Sequence, residues 1–206
     1  MTEFFSAFID QLTATSLAEW VAVVLALAYV WLAANQNRWC WLCAFISTAI
    51  YTWLFWQVTL PFQAVLNLYY MIMAGYGYYQ WNRQSGEEDI VRSWPWYWHA
   101  MMIPGLLFIA WGLSLWAQGQ FNSDHLLLDA SIQVVSVVTT VMVAHKVLQN
   151  WLYWFVINLA SAYLYAQSGL ALSACLFFGY VGFSIFGYLQ WSQQWKLQQH
   201  DAHAYR

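Results

Sequence analysis

Apolar residues run along most of this chain in seven long segments, each bounded by polar or turn residues. A helix needs about 20 predominantly apolar residues to cross a hydrocarbon core of about 30 Å. The segments therefore predict seven membrane-spanning helices, near 17–34, 39–56, 60–82, 94–117, 125–145, 150–167 and 170–192. Residues 1–16 have apolar side chains at helical spacing, which is typical of a short interfacial helix or of a tail, and residues 193–206 form a polar tail.

The composition places the chain in a membrane. It is 62% apolar and only 7% charged, whereas a soluble domain has about 25% charged residues. So few charges could not cover the surface of a soluble fold, so we expect the lipid bilayer to surround the protein. The basic residues form no stripe of the kind that binds phosphates, which excludes nucleic acid as a partner.

The positions of the charges predict the orientation. With seven spans, every basic residue falls on one face, in the first, third or fifth connection or in the C-terminal tail: Arg38, Arg83, Arg92, Lys146, Lys196 and Arg206. By the positive-inside rule this face is cytoplasmic. The N-terminus is then outside and the C-terminus in the cytoplasm.

An internal repeat divides the chain. When the chain is aligned with itself so that Trp41 falls on Trp151, 13 of 41 aligned positions are identical, including Gly77-Tyr78-x-Gln80-Trp81 on Gly187-Tyr188-x-Gln190-Trp191. The predicted fold is therefore all-α and integral to the membrane: a three-helix repeat at 17–82, a loop and linker helix at 83–117, and a second three-helix repeat at 118–192. The linker helix makes the two repeats parallel, an arrangement found in transporters that bind substrate near the bilayer midplane between the repeats.

Polar side chains inside three spans recur at helical spacing. Such groups are costly in a bilayer and tend to face a cavity. The predicted substrate-binding residues are Asn150, Trp151, Trp154 and Asn158 in the sixth span, Gln63, Asn67 and Tyr70 in the third, and Gln133 in the fifth, where Asp129, Ser136 and Thr140 extend the stripe. The alternative is that these groups cross-link helices, at about 0.6 kcal/mol per bond. Their repeat partners differ, with Ala44 and Thr48 at the positions of Trp154 and Asn158, which favours an asymmetric ligand.

The chemistry of these stripes suits a flat aromatic ring, neutral or cationic, joined to a polyhydroxylated group. Indole faces attract cations, and amides bind hydroxyls. No Lys or Arg lies well inside a span, so a phosphate dianion would have no compensating charge and we expect phosphorylated substrates to be rejected. We expect no metal or cofactor, because Cys40-x-x-Cys43 lacks the further Cys or His pair of a tetrahedral site.

Several of these motifs match a known family. The motif Asn150-Trp151-x-x-Trp154-x-x-x-Asn158, the Gly-Tyr-x-Gln-Trp end of the third span and the three-plus-one-plus-three order resemble the PnuC family of nicotinamide riboside transporters. Asp129, Ser136, Lys146 and Gln63 also lie where that family has like residues. One departure is Ala144-His145 before Lys146, where some members have Thr-Arg.

The resemblance also implies a fold, an assembly and a mode of transport that the residues themselves do not predict. It implies a fold similar to a fused, full-length version of the SWEET sugar transporters, a homotrimer in the bacterial inner membrane, and facilitated diffusion of nicotinamide riboside. A cytoplasmic nicotinamide riboside kinase would be a functional partner that traps the substrate. Related members carry thiamine or riboflavin precursors, so a thiamine-like substrate is an alternative.

Three other classes of function are weighed against transport by diffusion, and one of them, a non-transporting structural subunit, stays open at this point. A membrane-embedded enzyme would need a nucleophile and base or a metal cluster at membrane depth. We expect His99 and His125 near span ends on the outer side, His145 at a cytoplasmic end, and His200 and His203 in the tail. A proton-coupled sugar permease would need ionisable groups within the membrane. Glu19 and Asp129 are the only candidates, and both lie near outer ends of their spans, which favours passive exchange. The positions of the histidines favour a function other than catalysis.

Overall fold

The computed structural model describes residues 9, 12–13, 15–57, 61–84, 90–118 and 125–204, excluding the side chains at 55, 61–63, 84 and 202–204. Helices make up almost all of these residues. Seven long helices follow in order: α1 Leu17–Ala34, α2 Cys40–Gln57, α3 Pro61–Gln84, α4 Trp96–Gln118, α5 Leu126–Ala144, α6 Asn150–Gln167 and α7 Ala171–Ala204. They match the seven predicted spans, and apart from the end of α7 every helix boundary lies within two residues of its prediction.

The C-terminal helix is the exception. The prediction ended the seventh span at 192 and treated 193–206 as a tail, but α7 continues to Ala204. The predicted boundary marks where apolar residues stop, not where the helix stops, because the Gln, Lys, Leu and Ala residues that follow are good helix formers. This extension contacts other segments: Gln36 donates a hydrogen bond to Gln194, and the Val91 amide donates to Gln198 Oε1 at 3.2 Å.

Helix α1 begins with a capping box. The Ser16 backbone N–H donates to Glu19 Oε2 at 2.8 Å, and the Glu19 N–H donates to Ser16 Oγ at 3.2 Å. Glu19 therefore satisfies backbone donors at the helix start, a structural use that the sequence prediction missed. Ahead of it, Ile9, Leu12 and Thr13 are helical, while Phe4, Phe5 and Phe8 lie outside the described residues. The interfacial helix or tail at 1–16 stays a prediction.

Four helices among the described residues are long and apolar enough to cross a membrane. They are α1, α4, α5 and the part of α7 from Ala171 to Asp201. Helix α2 is apolar over the shorter stretch Cys40–Leu54. Helices α3 and α6 contain many Trp, Tyr and amide side chains, which lower the mean hydropathy. These three helices lie between helices that are long and apolar enough to span, which supports a membrane position for them. That position stays a prediction.

Helix α4 presents most of its large side chains outward. Trp96, Met101 and Phe108 are each more than two-thirds exposed. Its buried residues, Leu106, Ala110 and Ser114, recur every four positions along one narrow stripe. A helix with apolar residues around most of its circumference is expected where lipid or another apolar surface surrounds it.

The described contacts divide the chain into two compact units. The α1–α3 unit comprises Ala14–Arg92, Thr140–Leu148 and Phe186–Arg206, and the α4–α6 unit comprises Met1–Thr13, Ser93–Thr139 and Gln149–Ile185. The α1–α3 unit therefore also contains the ends of α5 and α7.

The turns that end α1 and α5 have the same backbone geometry. Gln36 and Lys146 are equivalent positions of the internal repeat, and both have φ of 53°. The N–H groups that follow bond back five residues, Asn37 to Leu32 O and Val147 to Met142 O, each at 2.9 Å. This is the Schellman motif, which usually places Gly in the left-handed position, as Gly169 does after α6. The predicted repeat therefore has a counterpart in backbone geometry at this pair of turns.

Three Trp residues form the buried centre of the α1–α3 unit. Trp41 and Trp81 meet edge to face with centroids 5.5 Å apart, and Trp81 and Trp191 lie 6.2 Å apart. All three are at most 2% exposed. Gly77 gives Trp41 its space, because a Cβ at residue 77 would overlap the Trp41 ring.

We expect Gly77→Ala to destabilise the protein, because overpacking a filled core costs about 1–3 kcal/mol. Gly75→Ala is the matched control: it lies on the same helix, and an added Cβ would meet nothing within 4 Å. That control should be neutral or gain up to about 1 kcal/mol from helix propensity. Thermal unfolding of the purified protein in detergent measures both, and equal midpoints for the two variants would contradict the packing argument.

Candidate functional site

Helix α6 buries a polar and aromatic face. Asn150, Trp151, Asn158 and Ser161 are buried and recur at helical spacing. Trp154, between them, is half-buried. The stripe predicted from the sequence is therefore a continuous face of one helix, turned into the protein.

Asn158 makes a specific interhelical contact in the α4–α6 unit. Its Nδ2 donates to Ser184 Oγ on α7 at 3.1 Å, and Ser184 Oγ donates to the Tyr180 carbonyl at 2.8 Å. This bond is a cross-link of the kind that the alternative interpretation predicted. It uses one of the two amide N–H groups, and an amide can make four hydrogen bonds, so the contact is compatible with a ligand role as well.

Helix α5 contributes polar groups to the same unit. Gln133 is half-buried and donates from Nε2 to Asp129 Oδ1 at 3.3 Å, one turn earlier. Ser136 and Thr139 are buried, and Thr139 donates to the Val135 carbonyl within its own helix at 2.7 Å. The sequence prediction named Ser136 but not Thr139, because the hydroxyl of a Thr that bonds its own helix gives no distinct pattern.

The predicted α3 residues belong to the other unit. Asn67 and Tyr70 are half-buried on α3, and the ring of Tyr70 lies 5.5 Å from that of Tyr69. The Gln63 side chain lies outside the described residues. Of the eight predicted residues, Asn150, Trp151, Trp154, Asn158 and Gln133 thus fall in the α4–α6 unit, and Asn67 and Tyr70 fall in the α1–α3 unit.

A cavity of about 570 Å³ lies on the opposite face of α6, within the α4–α6 unit. Side chains of α4, α5 and α6 line it, and most are Leu, Ile or Val. The α6 residues that line the cavity include Leu152, Tyr153 and Val156. None of the eight predicted binding residues lines it. Its chemistry therefore fits an apolar occupant such as an acyl chain, not the polar ligand that the stripe suits.

His99 lies at the polar end of this cavity, whereas the sequence predicted a position near the outer face. Its Nδ1 lies 2.8 Å from the Tyr153 hydroxyl, near the start of α6. Helix α6 begins just after Lys146, and α4, which contains His99, begins just after Arg92. His99 therefore lies near the helix ends that carry basic residues, here called the basic end. This position conflicts with the expectation of an outer location if the basic end is cytoplasmic, as the positive-inside rule predicts.

The structure also shows a buried cation that the sequence did not indicate. Lys146 is 1% exposed, and its Nζ lies 4.8 Å from the centroid of the Trp81 ring. The residue follows α5, so sequence position alone indicated a solvated connection. The left-handed turn directs its side chain into the protein, and a Trp face stabilises an ammonium group by up to about 2 kcal/mol when desolvated.

Together these features define a multi-pass, all-helical membrane protein with a polar stripe buried on α6. The sequence of residues 16–193 matches the family described as nicotinamide mononucleotide transporter, so the chain belongs to that family. The predicted resemblance to the PnuC family is thereby confirmed, and the protein is a membrane transporter rather than an enzyme.

Two curated relatives and one solved structure support this assignment. The nicotinamide riboside transporters PnuC of Escherichia coli (strain K12) and of Shigella flexneri are each 22% identical to this chain over 180 residues, covering 74% of it and 75% of the relative. The crystal structure of the vitamin B3 transporter PnuC is similar with a TM-score of 0.71 at 19% identity, covering 95% of this chain and 89% of that one. That similarity shows a shared fold.

Proposed function

We propose that this protein carries nicotinamide riboside by facilitated diffusion across the bacterial inner membrane. The observation that carries the proposal is the buried face of α6, where Asn150, Trp151 and Asn158 lie in one stripe, in a chain that belongs to a nicotinamide mononucleotide transporter family. The two PnuC relatives are described as transporters of this riboside.

The chemistry of the face fits the two parts of this substrate. A nicotinamide ring in the riboside is flat and cationic, and Trp is the best cation–π partner among the side chains. Trp151 and Trp154 would bracket the ring. The amides of Asn150, Asn158 and Gln133 would bind the ribose hydroxyls and the carboxamide. Gln63, Asn67 and Tyr70 stay predicted binding residues of the α1–α3 unit.

The architecture in this proposal is two parallel three-helix repeats joined by α4, similar to SWEET transporters, with a homotrimer as the assembly. The matching turns at Gln36 and Lys146 support the repeat. The end with the basic residues is cytoplasmic, so the N-terminus is outside and the C-terminus in the cytoplasm.

The transport mode follows from the ionisable groups. Glu19 caps α1, and Asp129 accepts a hydrogen bond from Gln133. Both acids thus have structural contacts at the start of their helices, which supports uptake that is not coupled to protons. A cytoplasmic riboside kinase would then retain the substrate as its 5′-phosphate.

We expect Trp151→Ala and Trp154→Ala each to weaken binding of nicotinamide riboside by about 1–3 kcal/mol, the range measured for base–aromatic stacking. Isothermal titration on purified protein measures this. Trp116→Ala, on the exposed side of α4, is the control. Since Trp151 is buried, thermal unfolding of each variant separates lost binding from lost folding. Unchanged affinity in both folded variants would remove these residues from the site, and tight binding of a thiamine-like precursor instead would favour the alternative substrate.

We expect uptake to be independent of proton and sodium gradients, because Glu19 and Asp129, the two acids within the predicted spans, have structural contacts at the starts of their helices. Proteoliposomes without any gradient should equilibrate labelled riboside. Proteoliposomes lacking the protein are the control. Accumulation above equilibrium that a protonophore abolishes would instead support a proton-coupled permease.

We expect the protein to bind the riboside and to reject its 5′-phosphate. The phosphate has a charge of about −1.5 to −2 at neutral pH and is costly to bury unpaired. The eight predicted binding residues are all neutral, Asp129 beside them is an acid, and the buried cation Lys146 already lies against Trp81. Titration of the riboside against the mononucleotide tests the expectation. Comparable affinities would contradict it, and loss of mononucleotide binding in Lys146→Gln would then identify Lys146 as the compensating charge.

A further inference from the structure

Two indole hydrogen bonds in the α1–α3 unit are related by the internal repeat. Trp81 Nε1 on α3 donates to the Val143 carbonyl at the end of α5, at 3.2 Å. Trp191 Nε1 on α7 donates to the Ala33 carbonyl at the end of α1, at 3.1 Å. The alignment that places Trp41 on Trp151 also places Trp81 on Trp191 and Ala33 on Val143. The third helix of each repeat is therefore bonded to the first helix of the other repeat.

Both bonds are sealed from solvent. Trp81, Trp191, Ala33 and Val143 are each at most 2% exposed. A buried indole N–H that loses its acceptor keeps its desolvation penalty without the bond that offset it. Separation of α3 from α5, or of α7 from α1, therefore requires water to reach the indole.

Each acceptor also belongs to the turn that ends its helix. The Ala33 carbonyl accepts the N–H of Gln36, and the Val143 carbonyl accepts the N–H of Lys146, each at 3.0 Å. These turns have the left-handed residue at Gln36 and Lys146, where glycine is usual. Side-chain contacts accompany this conformation: Gln36 donates to Gln194 on α7, and the Lys146 ammonium lies over Trp81 on α3.

We propose that Trp81 and Trp191 are paired latches that hold the basic end of the transporter closed, and that release of substrate toward this end requires both indoles to leave their carbonyls. The proposal rests on the transport function proposed above. In it Lys146 stabilises one latch through the Trp81 ring, and Gln36 with Gln194 stabilises the other. The two bonds involve the ends of α1, α3 and α5 and the middle of α7, so together they join both repeats on the side where the basic residues lie.

A native cysteine reports on this closure. Cys40 is 0% exposed, and it precedes Trp41, whose ring packs on Trp81. The chain has three cysteines, so Cys43→Ser with Cys175→Ser leaves Cys40 as the only thiol. In this background Trp81→Phe and Trp191→Phe keep an aromatic ring and remove the N–H donor.

We expect each Phe variant to raise the rate at which N-ethylmaleimide labels Cys40 in purified protein by about tenfold, the change in an opening equilibrium when one hydrogen bond is lost. Trp39→Phe, a half-exposed indole in the same unit, is the control and should label at the parent rate. Midpoints of thermal unfolding should stay within a few degrees of the parent, which separates local opening from unfolding.

Parent-like labelling in both variants would overturn the proposal, and so would labelling that rises only in proportion to lost thermal stability. The assay contains no substrate, so its outcome is independent of ligand identity. Failure of the parent protein to bind nicotinamide riboside in titration would instead overturn the proposed function.

Discussion

Backbone hydrogen bonding in the bilayer is the constraint on which the rest of this structure depends. A hydrocarbon core offers no water to an open N–H or C=O group, so a spanning segment must be a helix and its ends must be satisfied locally. The ends of α1 and α5 meet this need twice, through left-handed turns at Gln36 and Lys146 and through indole donors from Trp191 and Trp81. The helix ends are thus also the points where the helices of the α1–α3 unit are joined.

Polar groups that remain inside the membrane have to be explained by contacts or by a ligand. Thr48 on α2 donates to the Ala44 carbonyl of its own helix at 2.7 Å and needs nothing further. Asn158, at the equivalent position of α6, reaches across to Ser184 and retains further hydrogen-bonding capacity. Cys40 and Asn150 are also equivalent positions of the two repeats, and both are fully buried, but only Asn150 has a polar amide. Helix α6 therefore carries the polar chemistry that α2 lacks, which is why the proposed site is centred on it.

The sequence predicted the helices and the buried stripe because both follow from local spacing. Apolar runs fix where a helix lies in a bilayer, and a spacing of three and four residues placed Asn150, Trp151 and Asn158 on one face. Contacts between distant residues could not be predicted this way. The Trp81 and Trp191 bonds join residues 62 and 158 positions apart. The burial of Lys146 depends on a left-handed φ, which cannot be predicted from the presence of a Lys residue. The one available signal was the Gln-Trp pair at equivalent positions of the two repeats.

Symmetry of the backbone and asymmetry of the side chains serve different requirements in this chain. Matching turns and matching indole bonds give equivalent positions of the internal repeat the same contacts. In the proposed carrier these contacts would close one end. An identical set of side chains would present the same groups to a ligand from both sides. The proposed substrate, a ring joined to a ribose, is not symmetric, so one repeat would offer indoles and amides where the other does not. The second repeat has Trp154 and Asn158 where the first has Ala44 and Thr48. These residues would provide that difference, and both sets lie on helices of the same length, α6 and α2.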